Sequence, residues 1–301
     1  MLKESVLNVL MYYDIFHYPL TLEEIFKSCE KKCTRAQIEQ SVEELVNDKI
    51  IYRFEKFYCL HDKLDLILRR IDGNQRAQRY LKIANPFIKI IASFPFVKAI
   101  FISGSISKNY AAKNSDVDYF VVAAPNKIWI LKTLLILFKK IFLFNYNKFF
   151  CANYIIDDEH LTITKQNIYT SLEIVTLIPV YGKDYCQQFY DANKWVKNYH
   201  PNHPLPSLEQ VPKYRRRYGK LMIEFLLNNR LGRKLDDLML KFVTKFWVLK
   251  HGKRYDSKEE YEAAITNTKQ VSRAHWRNFH KSVFVDLEDR KKMYKDTTLV
   301  D

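Results

Sequence analysis

The residues best placed to do chemistry lie in FISGSISKNYAAKNSDVDYFVV, Phe101–Val122. Gly104 and Ser105 close one apolar run, and Asp116 and Asp118 open the next. A Gly-Ser turn offers backbone N–H groups and a hydroxyl to phosphate oxygens, and a glycine carries no Cβ to block their approach. The chain has only six glycines, so one at this place carries information. Ser107 and Ser115 add hydroxyls along the loop, and Lys108 is a candidate phosphate contact. In a strand, residues i and i+2 share a face, so Asp116 and Asp118 are expected side by side, with Val117 and Tyr119 turned away. Adjacent carboxylates repel one another. A hard divalent cation such as Mg²⁺ or Mn²⁺ removes that conflict and takes substrate phosphates as further ligands.

The elements that must hold these residues can be read on either side. Val97–Ser103 is expected as a strand, a short helix as covering about 106–111, and a second strand as running over Asp116–Val122. An apolar helix at about 127–144 follows, interrupted by Lys132, Lys139 and Lys140. A membrane span needs about 20 mostly apolar residues, so this one reads as a buried helix and the chain as free of the membrane. Lys148–Asp157 is a third strand. Helices are expected at about 166–177, 184–193, 214–229 and 235–250, with a Pro-rich linker at 199–212. Leu238, Phe242, Phe246 and Leu249 recur at helical spacing and read as core.

The first 62 residues read as three helices and a hairpin, the layout of a winged helix. Thr21 with Glu24, and Thr34 with Gln37, are capping boxes opening the second and third helices. A winged helix commonly reads DNA through its third helix. Here that helix bears Glu39, Glu43, Glu44 and Asp48, which would repel phosphates. A packing or partner-binding role therefore suits it better. Residues 1–62 hold eight Lys/Arg and eleven Asp/Glu, a net −3 within a chain of +15, so the rest of the chain carries +18. That basic body points to polyanionic ligands. The run KYRRRYGK (213–220) with Arg230, Arg233 and Lys234 interleaves tyrosines with cations, as an oligonucleotide contact would. A solvated helix face is the plainer account.

Five scattered cysteines suggest reduced thiols, and the N-terminus lacks a signal-peptide layout, so the cytoplasm is the expected compartment. Cys29, Cys33, Cys59 and His61 form a loose zinc-site alternative to small core residues. The hydroxyl-rich tail YKDTTLVD reads as a frayed terminus or a self-modification target.

Gly-Ser, ten residues, Asp-x-Asp and flanking apolar strands together resemble the DNA polymerase β-like nucleotidyltransferase superfamily. The motif covers about 20 residues, and the strand–helix–strand order extends the likeness to 97–157. YPLT..EI and the hairpin ending Tyr58-x-Leu60 resemble the winged-helix domains fused to some prokaryotic nucleotidyltransferases. The resemblance implies an α+β chain. A winged-helix domain (1–62) and connecting helices (63–93) would precede a nucleotidyltransferase core (94–200), with a helical C-terminal domain (201–301) after it. It implies Mg²⁺ held by Asp116 and Asp118, and a nucleoside triphosphate on Gly104 and Ser105. A hydroxyl acceptor on a small molecule, a protein or an oligonucleotide completes the reaction. A third carboxylate is usual on the neighbouring strand. Here Asn153 stands in that place and Asp157 lies four residues on, so Asn153 ligates weakly, Asp157 substitutes, or the third acid is absent. A non-catalytic nucleotide- or partner-binding regulator and a winged-helix DNA-binding regulator are the rival readings.

Overall fold

The structure is a computed structural model that describes residues 2–144, 148–214, 218–274, 283 and 285–292. Part of the basic run (215–217) and the hydroxyl-rich tail lie outside the described residues. The chain is a mixed α+β protein built on two small sheets.

The N-terminal unit comprises α1 (Leu2–Asp14), β1 (Leu20–Thr21), α2 (Leu22–Ser28), α3 (Arg35–Asn47), β2 (Tyr52–Phe54) and β3 (Phe57–Cys59). Both expected capping boxes are formed. Thr21 accepts from Glu24 N and Thr34 from Gln37 N, which satisfies helix N–H groups otherwise left unpaired. The three short strands pair antiparallel in the order β1-β3-β2. Val6, Leu10, Leu20, Ile25, Ile38, Val42 and Leu45 fill a core between helices and hairpin. Helix α1 serves two cores, because Met11 and Tyr12 near its C-terminal end belong to a core of the larger sheet.

A single helix, α4 (Leu64–Ser93), leads out of this unit. The sequence suggests a break at Gly73-Asn74, but α4 runs through it. The missing Cβ of Gly73 instead admits the Tyr110 ring, which would lie 2.3 Å from that atom. Then follow β4 (Val97–Ser103), α5 (Gly104–Ser107), β5 (Asp118–Ala123), α6 (Ile128–Phe142), β6 (Cys151–Asp157), α7 (Ile168–Val175), β7 (Ile178–Tyr181), α8 (Lys183–Ala192), α9 (Tyr218–Leu227), α10 (Arg230–His251), α11 (Lys258–Ala264), β8 (Ile265–Asn267) and β9 (Val271–Ala274). The large sheet has the order β7-β4-β5-β6-β9-β8. Strands β5 and β6 are parallel and joined by α6, as a parallel pair requires a crossover. The other neighbours are antiparallel. The C-terminal region is thus not purely helical: β8 and β9 extend the central sheet, and β9 lies against β6.

Alternation sends Ile100, Ile102, Tyr119 and Val121 to one face, under α4 and α6. Ala99, Phe101, Phe120 and Val122 go to the other, under α1, α7 and α8. Among the described residues no helix is long and apolar enough to cross a membrane.

Helix α10 presents a different side from the one its periodicity suggests. Asp236, Val243, Trp247 and His251 are buried, whereas Leu238, Phe242 and Leu249 are 58%, 66% and 71% exposed and Phe246 is also exposed. Asp236 fixes this rotation. Helix α6 has no side-chain cap of its own, and Asp236 Oδ1 accepts from Trp129 N and Ile130 N at 2.8 Å each. Asp236→Ala leaves two buried N–H groups unpaired and should cost about 2–3 kcal/mol of stability. Urea unfolding measures this, and an unchanged midpoint would remove the cap from the account.

Candidate active site

Register explains how residues 14 positions apart meet. Strands β4 and β5 run antiparallel with Ser103 opposite Asp118, so Gly104, one residue beyond, lands beside the Asp118 carboxylate. Gly104 has φ +71°, a left-handed conformation. A Cβ there would lie 2.7 Å from Asp118 Oδ2. The glycine is therefore required by backbone and neighbour at once. The helix expected at 106–111 is only the single turn α5, closed by Ser107 Oγ donating to Gly104 O at 2.9 Å. The Ser105 side is exposed.

The pair of aspartates is arranged less symmetrically than strand parity suggests. Strand β5 begins at Asp118, so Asp116 sits in the preceding loop and is exposed. Asp118 is half-buried and on the Phe120 face of the sheet. Burial pushes its carboxyl up to about 7; Asp116 and then Glu173 add like charge, and Lys108 opposes them. Ser115 Oγ accepts from Ala112 N at 2.8 Å and so shapes the turn that delivers Asp116.

Strand β6 supplies the next neighbour. Its register with β5 shifts between Tyr119 and Phe120, leaving Asn153 as the extra residue. A bulge of this kind re-aims a side chain. Asn153 Nδ2 donates to Asp118 Oδ1, and Asn153 Oδ1 accepts from Cys151 Sγ at 2.9 Å. Asp157 lies elsewhere. It pairs with Ala123 at the far end of β5, five residues or roughly 16 Å from the Asp118 end. There it is buried, accepts from Glu159 N at 3.2 Å and meets His160 Nδ1 at 2.7 Å. Asp157 is not a member of this site.

Gly104, Ser105, Lys108, Ser115, Asp118 and Asn153 line one cavity of about 730 Å³. Ser107 does not line it and acts on the turn itself. The sequence reading missed Glu173 of α7, which also lines the cavity and takes the Lys108 ammonium at 2.7 Å. Lys108 Nζ donates as well to Gly104 O at 3.2 Å, so the lysine is held against the turn. No local pattern in the sequence marks Glu173, because α7 reaches the site through packing alone.

The Asp118 carboxylate and the Ser105 hydroxyl line the cavity, and Asp116, exposed in the loop before β5, does not. These hard-oxygen donors suit Mg²⁺ or Mn²⁺ rather than a soft metal, whereas the Asn153 carboxamide turns its Nδ2 to Asp118 and its oxygen to Cys151. A half-buried carboxylate resisting ionisation beside a second carboxylate is also where a cation would be most favourable. The fit is to a two-carboxylate seat completed by ligand oxygens; among the described residues no group of three or more His, Cys, Asp or Glu is arranged to hold a metal. The zinc alternative is not assembled: Cys59 packs with Phe57 and Ile67, apart from the core that contains Cys29.

None of the described residues of the basic run lines this cavity. Lys220 is buried and donates to Val97 O at 2.8 Å, and Tyr214 packs on the sheet face opposite Asp118. No protein-family model matches the chain, and no curated protein or solved structure matches it either.

Proposed function

We propose that the chain is a nucleotidyltransferase whose N-terminal unit is a winged helix. The observation that carries the proposal is Gly104, held at φ +71° with no room for a Cβ against Asp118, at the wall of a cavity large enough for a nucleotide. That is the close approach between a phosphate turn and a metal-seating carboxylate that the Gly-Ser and Asp-x-Asp pattern implies.

In this reading the triphosphate lies along Ser105 and Lys108. Asp116 and Asp118 would hold Mg²⁺, which would supply Lewis-acid polarisation of the phosphates. Gly104 lets the turn close against Asp118, so that the carboxylate stands beside the phosphate chain. Glu173 restrains Lys108 until a phosphate competes for its ammonium. An acceptor hydroxyl oxygen bonds to the α-phosphorus, the bond from that phosphorus to the bridging oxygen breaks, pyrophosphate leaves and the hydroxyl proton is released.

Incubation with each labelled NTP and dNTP and Mg²⁺, followed by product mass analysis that includes the protein itself, tests the proposal. Label transfer or pyrophosphate release is expected from the wild type. Neither from any nucleotide would overturn it.

One observation favours a second reading. An amide, Asn153, occupies the place beside Asp118 where a third carboxylate would stand, and it already engages that acid. Tight nucleotide binding with no turnover would identify a nucleotide-binding regulator instead.

A further inference from the structure

We infer that the N-terminal unit is part of the nucleotide site and supplies the aromatic wall on which the nucleobase stacks. The inference rests on the nucleotidyltransferase reading above and goes beyond it. Neither the Gly-Ser turn nor the aspartates assign a role to residues 1–62.

Three observations carry it. First, the cavity that holds Gly104 and Asp118 is lined from the N-terminal side by Tyr13, Ile15, Phe16 and Tyr18, and from the core side by Tyr154 and Tyr169. The phosphate-facing groups are polar, and the rest of the wall is mostly aromatic and aliphatic, with Arg69, Lys165 and Arg273 also on it. That division suits a ligand with a charged chain at one end and a flat ring at the other.

Second, the rings form a continuous series. Tyr12 meets Phe16 at 5.7 Å between centroids and Tyr13 at 5.3 Å. Tyr13 meets Tyr18, and Tyr18 meets Tyr110, at 5.7 Å each. Such ring-to-ring contacts hold side chains in fixed orientations, which lowers the entropy lost when a base stacks on them.

Third, the unit is locked onto the core at separate points. Tyr18 OH donates to Lys108 O at 2.8 Å, directly at the expected phosphate turn. Arg70 of α4 donates to Pro19 O at 2.8 Å and Glu24 Oε1 at 2.7 Å, with its guanidinium 3.6 Å from the Tyr18 ring centre. Asn202 donates to Lys31 O at 2.7 Å, and Arg290 to Asp14 Oδ2 at 2.9 Å. A DNA-reading head on a flexible tether would need none of these. A wall that must keep register with a phosphate turn needs all of them.

Calorimetric titration of the full chain with Mg²⁺ and each of ATP, GTP, CTP and UTP, alongside inorganic tripolyphosphate, tests the wall. The variants are Phe16→Ala and Phe16→Leu; the second keeps apolar volume and removes the flat face. The wild type is expected to bind at least one nucleotide more tightly than tripolyphosphate. Both variants should lose about tenfold in nucleotide affinity and none in tripolyphosphate affinity. Unchanged nucleotide affinity in folded Phe16→Leu, or wild-type affinities equal for nucleotides and tripolyphosphate, would overturn the wall and leave the phosphate seat standing. No binding of either ligand by the wild type would overturn the nucleotidyltransferase reading and the wall with it.

Discussion

At pH 8 the Asp118→Asn protein should melt about 2–6 °C above the wild type while losing at least about a hundredfold in nucleotide transfer. The stability gain follows from the titration. An unfolded aspartate ionises near 3.9, whereas the native Asp118 carboxyl is pushed up to about 7, first by burial and then by Asp116 and Glu173. Between those values the native chain holds a proton that the unfolded chain has released. Wild-type stability therefore falls as pH rises from about 4 to about 7, and the loss is complete above that range. Asparagine cannot ionise, so the variant lacks this fall. Its Oδ1 can still accept from Asn153 Nδ2, which keeps the local packing. The gain should thus be largest at pH 8 and nearly vanish at pH 4. Scanning calorimetry at both pH values checks it; an equal gain at both would mean that the carboxylate charge is not the source. The activity loss has a separate cause, removal of a charge that would hold a cation against the phosphates. A group that weakens the fold when charged and is needed for turnover is kept for function rather than stability. If Asp118→Asn transferred nucleotide at the wild-type rate, the site assignment would fail even with the predicted melting shift.

What could be read in the sequence divides by range. Strand β4 has the predicted bounds, and β5 and β6 start two and three residues inside theirs, because each contains a short apolar run buried on both faces of the sheet. Two capping boxes were legible because a cap is a local bond between residues three apart. The pairing of the Gly-Ser turn with Asp118 was legible too, since two adjacent antiparallel strands leave little choice of register; the place of Asp116 was not, because β5 begins only at Asp118. Glu173 and the aromatic wall were not. They reach the cavity from α7 and from the end of α1 with the turn that follows it, and no spacing within those segments refers to a loop 60 or more residues away. Asp157 illustrates a different limit. Strand parity counts residues and ignores which end of a strand they occupy, and the bulge at Asn153 resets the count.

Helix α10 shows why periodicity alone misplaces a face. It carries two apolar stripes. One includes Leu238, Phe242 and Leu249; the other includes Val243 and Trp247. Hydrophobicity favours neither. The polar residue decides, because Asp236 finds two unpaired N–H groups at the start of α6 and turns its own stripe inward. A buried carboxylate held at about 6, shifted by burial against two stabilising N–H bonds, is the trace of that choice.

Gly104→Ala is the second large effect, and a double-mutant cycle can divide it. Alanine at φ +71° costs roughly 1–2 kcal/mol in backbone strain wherever it occurs. Its Cβ would also sit 2.7 Å from Asp118 Oδ2, so the carboxylate or the turn must shift. Together these should destabilise the protein by about 2–4 kcal/mol and abolish transfer, since a displaced carboxylate no longer faces the phosphate turn. Gly219 supplies the control, because a Cβ there meets nothing within 4 Å and its φ lies outside the left-handed range. Gly219→Ala in α9 should be neutral or stabilising by up to about 1 kcal/mol. In an Asp118→Ala background the carboxylate clash disappears while the backbone strain remains. The cost of Gly104→Ala should then fall by about half, an interaction energy of roughly 1–2 kcal/mol between the two positions. Urea unfolding of the four proteins in the cycle measures it. An additive cycle would mean that Gly104 is required by the turn alone, and that its nearness to Asp118 is incidental to the site.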